Sequence, residues 1–258
     1  MQVHHTTLSD VDRYLAKRAA TALEDKREEY ENILRCVRLV RPVEPNTRIL
    51  EIGTGTGWFS VLCSIDGLSC RGLEISSQLV ECATRLAISH GVTPNVELGN
   101  LEEVDLGTEQ FDVIIARFVF EHVEFWRENI QKLSTALRPG GAFLFASTNK
   151  FAPICGEFPK LPLYGWLPDC WRYRIRKIVH GPDIMKLGID YNQFTYPQLR
   201  RVFREVGFSV ILDRVDLADD RSIVNPLKRA VVSLSRRSRI VRNILLLFFE
   251  ATCFVCRK

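Results

Sequence analysis

Three closely spaced glycines, Gly53, Gly55 and Gly57, follow the apolar segment RILEI and precede a helix-like apolar segment. Glycine allows a turn to take a positive φ and the backbone to approach a ligand, and the start of the next helix offers free N–H groups. A dinucleotide-binding loop has the pattern GxGxxG and would need glycine where this sequence has Trp58. Glu51, two residues before the first glycine, would repel a pyrophosphate and attract a cation. The loop therefore predicts a site for a positively charged ligand and disfavours a nicotinamide oxidoreductase.

The segments around this loop indicate the elements that must hold it. Between residues 46 and 149, short runs rich in Ile, Val, Leu and Phe alternate with helix-like segments. This alternation is typical of βαβ units with a parallel sheet buried on both faces, so we predict an α/β core over these residues. Residues 1–45 include a segment from 11 to 41 without Gly or Pro, which predicts an N-terminal helical arm.

Two segments interrupt this alternation of strand-like and helix-like segments. Residues 150–194 are rich in proline and aromatic residues, and the aromatic content argues for an ordered cap rather than disorder. Residues 195–258 are predicted to complete the sheet and to contain a second, basic helical insertion at 216–251. Because loops that follow parallel strands emerge at the C-terminal edge of a sheet, both insertions should border the ligand crevice.

Composition and charge exclude several classes of protein. With 258 residues, 46% hydrophobic and 26% charged, the chain is an ordinary folded protein. Its 35 basic and 31 acidic residues give a net charge of +4, too small to indicate a nucleic-acid binder. The N-terminus lacks the basic and apolar regions of a secretory signal, so a cytoplasmic protein is expected. The apolar run at 244–249 ends at Glu250 and is too short to span a bilayer.

The eight cysteines are irregularly spaced, which fits reduced thiols better than a disulfide framework. Cys253 and Cys256 form an isolated CxxC in a segment that we predict to be extended. Residues three apart in a strand point to opposite faces, so these cysteines are predicted to be buried in a strand rather than to bind zinc.

The segment EIGTGTG at 51–57 resembles the motif (E/D)xGxGxG of the class I S-adenosylmethionine-dependent methyltransferases. Further segments resemble that family in the same order: GLEIS around Glu74, GNLE at 99–102, FDVIIARFVFEHV at 111–123 and LRPGGAFLF at 137–145. The resemblance implies a Rossmann-like, doubly wound, mostly parallel seven-stranded sheet whose last strand is antiparallel. It also implies S-adenosylmethionine as the cofactor.

The resemblance assigns cofactor contacts to the strand ends and the loops after them. Glu74 matches an acid that binds the ribose hydroxyls, and a carboxylate offers the two adjacent acceptors required. Asn100 stands where the family often has Asp holding the adenine amino group, and its amide oxygen can still accept that bond. The predicted cofactor-binding residues are Glu51, Gly53, Thr54, Gly55, Gly57, Glu74, Ile75, Asn100, Leu101, Glu102 and Arg117.

Methyl transfer requires the enzyme to align the acceptor and to remove any proton that it loses. We take His122 and His180 as candidate bases because histidine titrates near neutrality. Two interpretations of His122 stay open: it is the base, or it anchors the loop over the cofactor. Glu121 is predicted to be a solvated carboxylate at a helix start.

In the quinone-biosynthesis O-methyltransferases, the corresponding segment reads E-V-L-E-H and its acids help bind a divalent metal. Here the first of these positions is Phe118, so no metal is predicted.

The second insertion indicates the class of acceptor. Its residues 221–249 contain seven basic residues and no acidic one: Arg221, Lys228, Arg229, Arg236, Arg237, Arg239 and Arg242. A basic helix leading into an apolar run is typical of an element at an anionic membrane surface. A solvated basic face with an apolar stripe packed on the sheet is the plainer alternative, but it leaves seven charges uncompensated.

We therefore favour O-methylation of a small, apolar or lipid-linked acceptor, such as a quinone precursor or a glycan intermediate, by an enzyme peripheral to the inner membrane face. An anionic small molecule ranks next. A nucleic-acid partner ranks last, because no recognisable RNA-binding module is apparent. Two other functions stay open: a non-catalytic membrane-associated binding protein with the same fold, and an RNA methyltransferase.

Overall fold

The computed structural model of the chain describes residues 22–154, 160–180, 192–220 and 223–258. The strands are β1 (Arg48–Ile52), β2 (Ser69–Glu74), β3 (Val96–Leu98), β4 (Phe111–Arg117), β5 (Leu137–Thr148), β6 (Val210–Asp213) and β7 (Ala251–Arg257). The α-helices are α1 (Arg27–Arg38), α2 (Trp58–Ile65), α3 (Ser77–Ser89), α4 (Trp126–Ala136), α5 (Asp169–His180), α6 (Tyr196–Glu205), α7 (Arg214–Leu217), α8 (Pro226–Arg237) and α9 (Arg239–Phe248). Short 3-10 turns occupy Glu24–Lys26, Phe120–His122 and Tyr164–Trp166.

The strands form one seven-stranded sheet in the order β3-β2-β1-β4-β5-β7-β6. β1 pairs in parallel with both β2 and β4, and β7 is antiparallel to both β5 and β6. The predicted Rossmann-like fold with an antiparallel last strand is therefore confirmed. The chain winds away from β1 in both directions, so the crevice beyond the C-terminal ends of β1 and β4 is where such a sheet binds its ligand.

The sheet has an apolar cluster on each face because neighbouring residues of a strand point to opposite sides. Leu50 belongs to one cluster and Ile49 to the other. The same alternation separates the CxxC cysteines of β7, since Cys256 is buried in the first cluster and Cys253 packs against the second. Strands buried on both sides explain the nearly continuous apolar runs of the sequence.

Helix α1 covers the second face of the sheet and forms the described part of the N-terminal arm. Its buried side chains Tyr30, Ile33 and Val37 recur at helical spacing and pack in the second cluster. The helix ends at Arg38, before Pro42. Residues 1–21, which include the predicted start of the arm, lie outside the described residues.

The second insertion departs from the predicted single basic stretch in two ways. Ser238 is extended and its hydroxyl accepts a hydrogen bond from Val241 N, so it caps α9 and separates it from α8. Two of the basic residues are also compensated by acids that precede the insertion's basic part. Arg236 pairs with Asp220 at 2.6 Å, and Arg242 pairs with the fully buried Asp213 at 2.6 Å. The prediction of seven uncompensated charges was therefore wrong for these two.

Candidate active site

The glycine loop joins β1 to α2 and needs glycine at its first and last positions. Gly53 and Gly57 have φ angles of +69° and +81°, in the left-handed region. A Cβ at Gly53 would lie 2.2 Å from Val119 Cγ2, and one at Gly57 would lie 2.4 Å from Ala83 Cβ. The loop is thus packed against the segment that follows β4 and against α3. Gly55 also has a positive φ. Thr54, which lies between Gly53 and Gly55, is buried.

Glu51 points its carboxylate into this region from β1. The residue is 7% exposed, and its Oε2 has no hydrogen-bond partner among the described residues. Burial raises the pKa of Glu51 to about 8; the nearby Arg117 guanidinium opposes the shift and Glu74 adds to it. A buried carboxylate oxygen without a donor is a place for a cationic donor to bind.

Glu74 ends β2 and holds the glycine loop in place. Its Oε2 accepts a hydrogen bond from Gly55 N at 2.7 Å, and its Oε1 accepts from Ile75 N at 2.9 Å and from Ser76 N at 3.1 Å. Burial raises the pKa of Glu74, and these backbone donors oppose the shift. A carboxylate has about four acceptor positions, so about one remains for a ligand hydroxyl, on Oε2.

The segment after β3 lies beside Glu74, since Gly99 N donates to Glu74 O at 2.8 Å. Asn100 Oδ1 accepts from Glu102 N at 3.0 Å, and its buried Nδ2 has no hydrogen-bond partner among the described residues. One of the two acceptor positions of the amide oxygen is thus in use, and the group without a partner is the Nδ2 donor. Leu101 is buried, and Glu102 Oε1 accepts from Phe125 N at 3.0 Å.

Arg117 ends β4 and connects the crevice to the N-terminal arm. Its guanidinium pairs with Glu29 of α1 and lies 5.6 Å from the centre of the Trp58 ring. Lys26 lies 5.2 Å from the same ring and also pairs with Glu29, at 2.8 Å. Sequence reasoning missed Glu29, Lys26 and this role of Trp58, because Arg117 and Glu29 are 88 residues apart and such a pair leaves no local pattern.

The turn after β4 corrects the prediction for Glu121. Instead of being solvated, Glu121 is 4% exposed and accepts a hydrogen bond from Ser147 Oγ of β5 at 2.8 Å. His122 beside it is exposed, and its backbone N donates to Val119 O at 2.9 Å. Asn192, at the end of the first insertion, holds the turn by donating from Nδ2 to Phe120 O at 3.0 Å. Sequence reasoning missed both Ser147 and Asn192.

His180, the second candidate base, and Tyr196, another polar residue close to the first insertion, differ in what the structure describes. His180 is the last residue of α5, and its side chain lies outside the described residues. Tyr196 begins α6, is buried, donates its hydroxyl to Ala251 O at 3.0 Å and accepts from Cys253 N at 3.1 Å. These bonds attach α6 to β7, which is a structural role.

The structure therefore brings Glu51, the glycine loop, Glu74 and Arg117 together at the ends of three adjacent strands. This arrangement fits S-adenosylmethionine, because the buried Glu51 oxygen lacks a donor that the amino group of the ligand would supply. Within the described ranges, no three His, Cys, Asp or Glu side chains are grouped as a metal site would need.

Comparison with known proteins gives consistent results. The model of the methyltransferase domain family matches residues 8–212. Among curated relatives, the malonyl-[acyl-carrier protein] O-methyltransferase of Halalkalibacterium halodurans is 29% identical over 147 residues, covering 54% of this chain and 49% of that protein. The ubiquinone biosynthesis O-methyltransferase of Chelativorans sp. is 32% identical over 195 residues, covering 69% of this chain and 75% of that protein.

Several of these matches are partial: the chain spans about half the length of the first curated relatives that it matches. Among solved structures, an S-adenosylmethionine-dependent methyltransferase from Mesorhizobium loti superposes with a TM-score of 0.58 at 20% identity, covering 92% of this chain and 98% of that one. At that identity the likeness concerns the fold.

Proposed function

The chain belongs to the S-adenosylmethionine-dependent methyltransferases, through the domain model that matches residues 8–212, and we propose that it methylates an oxygen atom of a small, apolar or lipid-linked acceptor. The two curated relatives described above are O-methyltransferases, which supports oxygen as the acceptor atom. A quinone precursor or a glycan intermediate is the kind of acceptor that we expect.

The cofactor supplies a methyl group on a sulfonium, which is an electrophile. Glu51 would bind its amino group, the free acceptor position of Glu74 a ribose hydroxyl, and the segment from Asn100 to Glu102 its adenine. These assignments are supported by the unfilled polar atoms of Glu51 and Asn100. Holding the reacting atoms in line accounts for most of what such an enzyme must do.

Among the described residues, His122 is our candidate for accepting the proton that the acceptor hydroxyl loses. Its support is its position on the turn after β4, at the edge that carries Glu51, and the hydrogen bonds that fix this turn. Glu121 would act as a positioning residue, because its carboxylate bonds Ser147. His180 stays the second candidate.

The observation that carries an apolar or lipid-linked acceptor is the exposure of large apolar side chains on both insertions. Trp166 of the first insertion stacks on Phe248 of α9 with ring centres 6.4 Å apart, which joins the two insertions. The exposed apolar residues of α5, α8 and α9 are Trp171, Ile178, Val179, Leu227, Leu234, Ile240, Ile244 and Phe248. Exposed large apolar side chains in such number favour a membrane or partner surface on these helices.

Basic side chains are exposed on two of the same helices. Lys228, Arg229, Arg237 and Arg239 are exposed on α8 and α9. Basic residues beside exposed apolar ones favour adsorption to an anionic bilayer. None of the helices in the described ranges is long and apolar enough to cross a membrane.

Labelled methyl transfer tests the proposal. The protein is incubated with methyl-labelled S-adenosylmethionine and a fractionated extract, and we expect label in a lipid or small-molecule fraction, on oxygen. Label in RNA would instead support an RNA methyltransferase. Binding of S-adenosylhomocysteine without transfer to any fraction would support a non-catalytic binding protein.

Flotation with vesicles tests the membrane surface separately. We expect the wild type to float with phosphatidylglycerol-containing vesicles and Ile240→Asp to float less. Ile88→Asp is the matched control, because Ile88 is 65% exposed on α3 and Ile240 is 73% exposed on α9. Equal flotation of the two variants would refute the assignment of this surface.

A further inference from the structure

Arg117 and Glu51 lie on the same face of the sheet, but Arg117 pairs with the N-terminal arm. Ile115 is opposite Glu51 in the parallel register of β1 and β4, and Arg117 follows two residues later. Residues two apart in a strand point to the same side, so the arginine leaves the sheet beside the carboxylate. Its guanidinium nevertheless pairs with Glu29 of α1, and among the described residues it forms no ion pair with Glu51.

Glu29 and the Trp58 ring hold Arg117 in this position. The side chains of Arg117 and Glu29 are only 22% and 35% exposed, so water screens their ion pair less than a pair at the surface. The arginine also lies 5.6 Å from the centre of the Trp58 ring. Lys26, in the turn before α1, lies 5.2 Å from the same ring and 2.8 Å from Glu29. Glu29 thus bridges two cations that would otherwise repel each other.

An Arg117 side chain without Glu29 would compete for Glu51. Burial raises the pKa of Glu51, and Arg117 is already close enough for its charge to oppose that rise. Glu51 Oε2 is buried and has no donor among the described residues, and a guanidinium is a strong donor to carboxylates. A pair between Arg117 and Glu51 would occupy the acceptor that the amino group of the ligand needs.

We propose that Glu29 is a positioning residue of the cofactor site, which keeps Arg117 away from Glu51 and leaves this carboxylate free for the amino group of the ligand. The proposal rests on the proposed role of Glu51. It makes α1 part of the cofactor site without requiring a residue of this helix to contact the ligand.

The other titratable groups around Glu51 leave a pH titration interpretable. Glu74 of β2 adds to the rise in the pKa of Glu51 and is the same in every variant below. The pKa of the Cys70 thiol, also on β2, is raised by a hydrogen bond with Cys63 and by burial, so this thiol stays neutral up to pH 9. Burial would raise the pKa of Glu29, but hydrogen bonds from its two cationic partners lower it overall, so Glu29 is ionised from pH 6 to 9.

Isothermal titration with S-adenosylhomocysteine from pH 6 to 9 tests the proposal on the wild type and Glu29→Gln. Above pH 8 we expect Glu29→Gln to bind about tenfold more weakly, because the ligand must displace Arg117 from Glu51. The same new pair favours ionised Glu51, so the pH at which binding levels off should be about one unit lower. The two dissociation constants should therefore converge near pH 6.

Glu31→Gln is the matched control for this titration. Glu31 lies on the same helix, its side chain is 50% exposed, and it also pairs with an arginine, Arg27, at 3.5 Å. Its pH profile should equal that of the wild type. With Arg117→Gln as the parent, adding Glu29→Gln should change the dissociation constant less than about twofold at pH 8.5, because Glu29 acts through Arg117.

The pattern across pH separates the possible outcomes. Equal profiles for Glu29→Gln and a pH-dependent wild type would overturn the positioning role alone. Weakening by the same factor at every pH, or a tenfold effect of Glu29→Gln in the Arg117→Gln parent, would show that Glu29 only supports the arm and would overturn it too. If the wild type has the same profile as Glu51→Gln, the assignment of Glu51 fails and the proposal fails with it.

Discussion

Replacing Glu51 by Gln should remove a pH dependence from cofactor binding. The pKa of the buried Glu51 carboxyl is about 8, so at pH 7 about one molecule in ten carries it ionised before the ligand binds. If the ligand amino group binds only the ionised carboxylate, the Glu51 carboxyl must lose its proton when the ligand binds. The free-energy cost of this deprotonation is about 1.4 kcal/mol at pH 7 and about twice that at pH 6. The dissociation constant of the wild type should therefore fall about tenfold for each unit of pH from 6 to 8 and level off above that.

The assay is isothermal titration with S-adenosylhomocysteine from pH 6 to 9, in two buffers of different ionisation enthalpy. The wild type should release close to one proton on binding at pH 6 to 7, and Glu51→Gln should release none. Titration of the ligand's own amino group affects both proteins alike, so the difference between them belongs to Glu51. Equal pH profiles for the two proteins would refute the assignment of Glu51 as the acceptor for the amino group.

The same carboxyl should make the ligand-free protein less stable as pH rises. Its pKa is above the usual value of 4.5 in the folded state, so the folded protein binds the proton more tightly than the unfolded chain. The free energy of unfolding should therefore fall with increasing pH between about 4.5 and 8, by up to about 1.4 kcal/mol per unit, and then level off. Glu51→Gln should remove this slope in urea denaturation.

Three further changes have expected outcomes. Gly53→Ala should destabilise the protein by more than about 1 kcal/mol and abolish S-adenosylhomocysteine binding, because the new Cβ would lie 2.2 Å from the Val119 side chain. Gly67→Ala is the control, because Gly67 has a φ of +73° and nothing lies within 4 Å of a Cβ there. It should lose only the free energy of the backbone strain and should still bind the ligand. Arg242→Ala should lower the free energy of unfolding by about 2 kcal/mol, because it removes one of the two arginine partners of the fully buried Asp213 and leaves Arg200. The exposed Arg239→Ala should change it by less than about 0.5 kcal/mol. Vesicle flotation should weaken as sodium chloride is raised from 50 to 500 mM, since screening shortens the reach of surface charges; unchanged flotation would leave the basic residues without a role in it.

The sequence could predict those parts of the site whose residues lie close together in the chain. The glycine loop and Glu51 lie within one short segment, so their types and spacing predict a ligand site. The same pattern of a strand followed by a loop predicts the role of Glu74. The roles of Glu29 and Asn192 depend on contacts made between distant segments, for which periodicity and spacing give no signal.

Two wrong expectations have a shared physical cause. Glu121 was expected in solvent because a carboxylate at a helix start is usually solvated, but the first insertion and β5 cover it. The charge of Arg242 was expected to be uncompensated because no acid lies nearby in its own segment, yet the fold brings Asp213 to it. In both cases tertiary contacts override a local tendency. The break between α8 and α9 has one local indication, since Ser238 is of a type that commonly caps helices. No Gly or Pro marks this break in the sequence.

The strand order has a consequence for how the chain folds. β7 lies between β5 and β6, pairing with seven residues of one and four of the other. β6 therefore has no sheet partner until synthesis has passed Arg257, although its own residues are made more than forty positions earlier. Pairings over such sequence separation form slowly. The edge of the sheet that carries β6 is therefore expected to form late in folding.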